Sequence, residues 1–238
     1  MTKKPIILIA WGSCLDDQFT AQSMMLVKAY DWAIAANGGM PMVPLDQSCI
    51  SEYCAIADGL LLPGSMGYSP FPDWDAFSDI EGHARKESFE SELYTVFKSA
   101  GKPILGICDG HQKINCEQGG TLDLNLAERY HVTHFLTAHK IKTEPNSLLH
   151  EVWGDEPIVN SYHGFAIDKL GNDLKITARS LDGVPEALEH VSLPIYGLQF
   201  HPERMRGDNI FPSEGADGDL IFQKFIKKCA EIRDNVNQ

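Results

Sequence analysis

The sequence has few basic residues and lacks any long apolar run. Its 20 Lys and Arg stand against 33 Asp and Glu, which gives a net charge of −13. A negative surface repels both nucleic acid phosphates and anionic lipids, so we expect neither as a partner. A membrane-spanning helix needs about 20 apolar residues, and the apolar run at residues 5–11 is too short for one. We interpret that run as a first core strand rather than a signal peptide.

Paired cysteines are also lacking. The six cysteines contain no Cys-x-x-Cys pair and no compact disulfide framework, so we expect free thiols and a cytoplasmic location. Internal repeats, low-complexity tracts and linkers are absent too. With 43% hydrophobic and 22% charged residues, the composition is typical of a globular protein, and we predict a single domain over residues 1–238.

The spacing of apolar residues predicts an α/β fold. In the first half, short apolar runs alternate with segments of helical period at 21–36 and 86–100. That alternation indicates an open, mostly parallel sheet with helices on both faces. In the second half, strands at 158–161, 174–179, 184–189 and 195–200 add an antiparallel region, and a last helix at 219–232 is expected to bury Leu220, Ile221, Phe225, Ile226 and Cys229.

One cysteine stands where a strand is predicted to turn sharply into a helix. Cys108 follows the buried run Ile104–Ile107 and is flanked by Gly106 and Gly110. Small residues on both sides allow the tight strand-to-helix turn that exposes a nucleophile in many hydrolases. The helix N-terminus that follows favours a thiolate at this position.

A histidine and a carboxylate end a later strand. His201 and Glu203 follow the predicted strand 195–200. A thiol nucleophile needs a base to take its proton, and the base needs a third group to orient it. If this strand lies beside the Cys108 strand, the two residues supply both roles.

Other polar residues are weaker candidates. His131, His134 and His139 match no standard metal-site spacing, so we predict no metal site. Arg204 and Arg206 are candidates for binding a substrate carboxylate, or else belong to a solvated loop. The acidic and aromatic loop 66–82 is either a substrate lid or a surface loop.

These motifs resemble the class I glutamine amidotransferase-like hydrolases, and within them the gamma-glutamyl-gamma-aminobutyrate hydrolase group of peptidase C26. The resemblance implies a flavodoxin-like sheet and a Cys-His-Glu triad that needs no metal or organic cofactor. It extends over nearly the whole chain and is carried by residues 36–41, 62–64, 103–112, 115, 119–122, 159–163 and 197–203.

The resemblance implies a role for each matching residue. Cys108 is the nucleophile, His201 the general base and then acid, and Glu203 the orienting carboxylate. The oxyanion hole is expected from the backbone N–H of Asp109 and one N–H of the Gly64–Ser65 turn. The glutamyl group is expected to contact Gln112 and the backbone around Ser161 and Tyr162. His163 is expected to be a pocket-wall or hydrogen-bonding residue.

Two departures leave the substrate open. Asp109 stands where the group usually has Arg, and Tyr162-His163-Gly164-Phe165 is closer to the glutaminase subunit of carbamoyl-phosphate synthetase. We predict a stand-alone hydrolase of a small γ-glutamyl amide, such as γ-glutamyl-γ-aminobutyrate, acting through a thioester. The alternatives are a glutaminase subunit that supplies ammonia to a partner synthetase, and a non-catalytic regulatory protein. The sequence also leaves a homodimer open.

Overall fold

A computed structural model describes residues 3–10, 20–64, 80–207, 212 and 214–236. The strands are β1 Ile6–Ile9, β2 Met40–Met42, β3 Gly59–Leu62, β4 Ile104–Ile107, β5 Thr121–Asp123, β6 His134–Thr143, β7 Ile158–His163, β8 Ala166–Lys169, β9 Leu174–Ser180, β10 Pro185–His190 and β11 Ile195–Leu198. The helices are α1 Thr20–Ala36, α2 Ile50–Ile56, α3 Ile80–Ser99, α4 Asp109–Glu117, α5 Leu126–Tyr130, α6 Leu148–Trp153 and α7 Asp219–Val236.

Nine of these strands form one sheet in the order β2-β1-β3-β4-β11-β10-β9-β6-β7. The five strands from β2 to β11 are parallel to one another. From β11 onward each neighbour is antiparallel, and β5 and β8 form a separate antiparallel ribbon. The structure confirms the predicted parallel sheet with an antiparallel region in the second half of the chain.

Helices cover both faces of the parallel part, because side chains alternate along each strand. Ile7 and Ile9 of β1 pack in one apolar cluster with side chains of α1 and α7. Ile6 and Leu8 point the other way and pack with side chains of α2, α3 and α4. Burial of both faces explains why the strands consist of uninterrupted apolar runs.

Several element boundaries differ from the sequence prediction. β2 ends at Met42 because the following Pro44 has no N–H to continue the ladder. α2 was not predicted, and α3 begins at Ile80, so the end of the predicted loop 66–82 is helical. The lid prediction for that loop lies mostly outside the described residues.

One predicted core residue in the last helix was wrong. Leu220 is 38% exposed, whereas Phe222 is fully buried. Buried positions at 221, 222, 225, 226 and 229 form one stripe of helical spacing, and Leu220 lies beside that stripe.

The sequence predicted no membrane-spanning helix and free thiols. Among the helices that the structure describes, no helix combines the length and apolarity needed to cross a bilayer. Five of the six cysteines, namely Cys49, Cys54, Cys108, Cys116 and Cys229, are free thiols.

Candidate active site

Cys108 lies in the sharp turn between β4 and α4. Its backbone has φ 54° and ψ −101°, an unusual conformation for a residue with a side chain. Such conformations cost about 1–3 kcal/mol and persist where the surrounding structure enforces them, often at active sites. The turn therefore has the strained geometry expected of a nucleophile elbow.

The two flanking glycines are required by close backbone approach. A Cβ on Gly106 would lie 2.4 Å from the carbonyl oxygen of Gly110, and a Cβ on Gly110 would lie 2.2 Å from that of Leu62. Both distances are far below van der Waals contact, so any side chain would force the helix away from the sheet. The glycines thus allow α4 to start directly above the ends of β3 and β4.

The N-terminus of α4, the positive end of the helix dipole, lies beside Cys108. Cys108 is the N-cap of α4, and the N–H of Gln112 donates to the Cys108 carbonyl at 3.1 Å. First-turn N–H groups have no carbonyl partner within their own helix, and the helix dipole makes this end positive. Asp109 in that first turn complements the dipole, which explains an acidic residue at this position.

The β11 strand brings the histidine to the elbow. β11 runs parallel to β4, and the N–H of Cys108 donates to the Leu198 carbonyl at 2.7 Å. A Cβ on Gly64 would lie 2.9 Å from Cε1 of His201 and 3.3 Å from Cβ of Cys108, so these three residues converge. The structure thus brings together the two chemical groups that the sequence placed 93 positions apart.

Glu203 completes the arrangement. Its Oε1 lies 2.7 Å from Nδ1 of His201, and both side chains are buried. Burial lowers the pKa of His201, but the charges of Glu203 and Cys108 outweigh it and raise the pKa to about 10. The site therefore favours the protonated ring of His201, which lies between Glu203 and Cys108.

Two residues of β7 hold the histidine in place. The side chain of Asn160 donates to the His201 carbonyl at 2.9 Å and accepts from the His201 N–H at 2.8 Å. The ring of Tyr162 stands edge-on to the His201 ring, with centroids 5.6 Å apart. Asn160 was not predicted as a site residue, because its contact depends on the packing of β7 against residues 202–204.

A pair of amides borders the thiol. Nε2 of Gln199 lies 3.7 Å from Sγ of Cys108, and Oε1 of Gln199 accepts from Gln112 at 3.1 Å. Both glutamines are buried. Gln112 was predicted at the site, whereas Gln199 was missed because it lies one residue before Phe200 in what the sequence presents as an ordinary strand.

The family model of peptidase C26 matches residues 5–203, which include all three residues of this arrangement. The chain belongs to the peptidase C26 family. Members of this family and their glutamine amidotransferase-like relatives support a hydrolase or amidotransferase type of activity.

Individual relatives agree with this assignment. This C26 protein is 31% identical to Protein NtpR of Enterococcus hirae, over 86% of the chain and 93% of that protein. It is 26% identical to the Gamma-glutamyl-gamma-aminobutyrate hydrolase of Escherichia coli O157:H7, over 86% of each. The solved structure of PurLQS from Thermotoga maritima contains a chain with the same fold, with a TM-score of 0.64 at 20% identity over 94% of this chain and 99% of that one.

The predicted oxyanion hole of the C26 protein is described in part. The N–H of Gly64 donates to the hydroxyl of buried Tyr30 at 2.9 Å, so this donor already has an acceptor. Ser65, the other residue of the predicted turn, lies outside the described residues, so its part in the oxyanion hole stays a prediction. Burial, and then the charge of Glu203, raise the pKa of Tyr30 well above its usual value, so Tyr30 stays a neutral hydroxyl.

The predicted substrate residues on β7 divide between the two faces of that strand. Tyr162 faces His201, whereas Oγ of Ser161 donates to the His134 carbonyl at 2.7 Å. Nε2 of His163 lies 3.2 Å from Nδ1 of His134. The side chain of His163 therefore lies in a buried cluster on the other face of β7, where it makes hydrogen bonds, and its part in substrate binding stays a prediction.

The two arginines after the triad have different surroundings. Arg206 is paired with Asp219 at the start of α7, so its charge is already neutralised. The guanidinium of Arg204 lies 5.5 Å from the ring centre of Tyr162 and its side chain is 44% exposed. Nε of Arg204 also lies 3.6 Å from Oε1 of Glu203, so this arginine contacts the triad carboxylate, and its contact with a substrate stays a prediction.

Proposed function

We propose that this C26 protein hydrolyses γ-glutamyl amides through a γ-glutamyl thioester on Cys108. The observation that carries the proposal is the convergence of Cys108, His201 and Gly64 at the elbow, with Glu203 bonded to the outer nitrogen of His201. Acyl transfer requires a thiol nucleophile, a base and a carboxylate that orients the base, and Cys108, His201 and Glu203 provide these three groups.

In the first half of the reaction the amide bond is broken. Sγ of Cys108 attacks the γ-carbonyl carbon, and the carbonyl electron pair moves to oxygen. When this intermediate collapses, the C–N bond breaks and the proton on His201 passes to the departing nitrogen. A neutral amine leaves, and the γ-glutamyl group stays on sulfur as a thioester.

In the second half water replaces the amine. His201, now neutral, takes a proton from water while the water oxygen attacks the thioester carbon. Collapse breaks the C–S bond, releases glutamate and leaves Cys108 as a thiolate beside a protonated His201. Glu203 keeps its hydrogen bond to Nδ1 throughout, so Nε2 stays directed at the reacting atoms.

The glutamyl half would lie near Gln112 and Tyr162, and the leaving amine would define the substrate. Arg204 favours an amine that carries a carboxylate, as in γ-glutamyl-γ-aminobutyrate, while Asp109 favours a cationic amine. The similarity to a Gamma-glutamyl-gamma-aminobutyrate hydrolase supports the first of these substrates.

The decisive experiment is a panel of γ-glutamyl amides and glutamine tested with purified protein, with Cys108→Ala as the blank. We expect release of glutamate from at least one γ-glutamyl amine with a higher kcat/KM than from glutamine. A protein that hydrolyses only glutamine, and does so faster when a synthetase is added, would be the glutaminase subunit instead. A protein that is folded but inactive toward every compound would be the regulatory member.

A further inference from the structure

A second group of chemically active side chains lies outside the triad. We call it the histidine cluster: His134 and His139 on β6, His163 at the end of β7, and Glu186 on β10. Glu186 is 0% exposed and His134 only 2%, and the side chain of His139 is 17% exposed. The reaction proposed above uses none of these four residues.

Two β-bulges direct these side chains to one point. Leu136 is an extra residue in β6, with φ 54°, so that His134 pairs with His163 and His139 pairs with Val159. His134 and His139 are five residues apart, an odd separation that would put them on opposite faces of a regular strand, and the extra residue returns them to the same face. Glu186 is likewise the extra residue of β10, between Pro185 and Ala187. Bulges that redirect side chains are typical of functional positions.

The outer nitrogens of two rings are fixed by other groups. Nε2 of His134 lies 3.1 Å from Oδ2 of Asp182, and Nδ1 of His163 lies 2.8 Å from the Phe165 carbonyl oxygen. Both partners are acceptors, so each of these nitrogens carries the proton of a neutral ring. When both rings are neutral, the inner nitrogens, Nδ1 of His134 and Nε2 of His163, present lone pairs.

These lone pairs meet a buried carboxylate. The two inner nitrogens are 3.2 Å apart, and Oε1 of Glu186 lies 3.1 Å from Nδ1 of His134 and 3.6 Å from Nε2 of His163. Among the described residues, no hydrogen bond of ordinary geometry reaches either carboxylate oxygen of Glu186. Acceptors buried face to face are satisfied either by a proton on one of the rings or by a metal ion between them.

We propose that the histidine cluster binds one Zn²⁺ ion, contrary to the expectation of no metal site that the spacing of His131, His134 and His139 suggested. Tetrahedral zinc with bonds of about 2.0–2.2 Å places its ligand atoms about 3.3–3.6 Å apart, close to the spacings found here. His134, His163 and Glu186 supply three ligand atoms that lie together, and His139, whose Nε2 is 3.1 Å from Oε1 of Glu186, is the candidate for the fourth. Three imidazoles and a carboxylate form a donor set that suits Zn²⁺.

The surroundings match those of metal-binding histidines. A ligating imidazole usually donates its other N–H to a carboxylate or a backbone carbonyl, as His134 does to Asp182 and His163 to Phe165. A bound ion would join β6, β7 and β10. Because β7 carries Asn160 and Tyr162, the ion would also fix the strand that contacts His201.

The test measures zinc rather than activity. All proteins carry Cys108→Ala, so that the catalytic thiol cannot bind the ion. Each protein is treated with a chelator, desalted, loaded with Zn²⁺, desalted again and analysed for metal content and thermal unfolding. The variants are Glu186→Gln and Asp182→Ala, and His131→Ala removes an exposed histidine outside the cluster as the matched control.

We expect one equivalent of Zn²⁺ and a raised Tm in the parent and in His131→Ala. Glu186→Gln should retain no equivalent, and Asp182→Ala should bind about 10- to 100-fold more weakly, as loss of an outer partner usually causes. If Glu186→Gln does not fold, Asp182→Ala still decides the question. Failure of the parent to retain zinc would overturn the proposal, because protons alone would then balance the cluster. Equal Zn²⁺ affinity of Asp182→Ala and His131→Ala, measured by competition with a chelator, would also overturn it, since the ion would then bind elsewhere.

Discussion

The substitution Glu203→Gln tests the electrostatic design of the triad. Glu203 is buried and lies 2.7 Å from His201, whose pKa is about 10 against an ordinary value of 6.5. An opposite charge at this distance typically shifts a pKa by about 1–3 units, each unit being worth about 1.4 kcal/mol. Removing the carboxylate while keeping the shape should therefore lower the pKa of His201 by that amount.

The consequence for activity has a definite sign. Turnover needs a protonated His201 to release the amine, so kcat/KM falls as pH rises through the pKa of this imidazolium. In Glu203→Gln that alkaline limb should move to lower pH by about 1–3 units. The maximal rate should also fall, by about 10²- to 10⁴-fold, because an amide no longer enforces the orientation of the ring.

The assay is a pH profile of kcat/KM for the best γ-glutamyl amide. Glu156→Gln is the matched control, since the side chain of Glu156 is half-exposed and pairs with Lys140 at the surface. A folded Glu203→Gln protein whose alkaline limb coincides with that of the parent would refute the argument. In that case the limb would report a group other than His201.

Three further predictions concern residues around the elbow. Tyr30→Phe removes the acceptor of the buried Gly64 N–H and should cost about 1–3 kcal/mol in the free energy of unfolding, measured by denaturant titration; an unchanged stability would mean that the N–H finds another partner. Gly110→Ala should cost about 1–3 kcal/mol or more, because its Cβ would overlap a backbone carbonyl; a wild-type Tm would contradict the close approach. Asp109→Asn should raise kcat/KM for the γ-aminobutyrate conjugate relative to the putrescine conjugate, with about 1.4 kcal/mol for each tenfold change, and added salt should shrink the effect. An unchanged ratio would show that Asp109 does not face the leaving amine.

Local features of the sequence were sufficient to predict the parallel half of the fold and the elbow. β1, β3 and β4 are continuous apolar runs because both of their faces are buried. The glycines around Cys108 indicated a tight turn, and the structure shows the backbone contacts that require them. His201 and Glu203 could be predicted because one short segment carries both.

The antiparallel half was harder to predict because bulges interrupt its period. The extra residue Leu136 breaks the alternation of β6, so this ten-residue strand has no clear pattern of period two. Because of the same bulge, the spacing of His134 and His139 in the sequence does not show that they lie on one face of the sheet. No local sequence pattern indicated a site at Glu186, because its partners come from strands far away in the sequence. Contacts such as that of Asn160 with His201 also depend on tertiary packing, which local spacing does not contain.

Trapping the acyl-enzyme tests the central claim most directly. The protein is mixed with a γ-glutamyl amide and the reaction is quenched in acid within the first turnovers. The quenched protein is then digested, and the masses of its peptides are measured by mass spectrometry. We predict a γ-glutamyl adduct on the peptide that contains Cys108, and none in Cys108→Ala. Turnover that proceeds without any adduct on Cys108, or that continues in Cys108→Ala, would contradict the account.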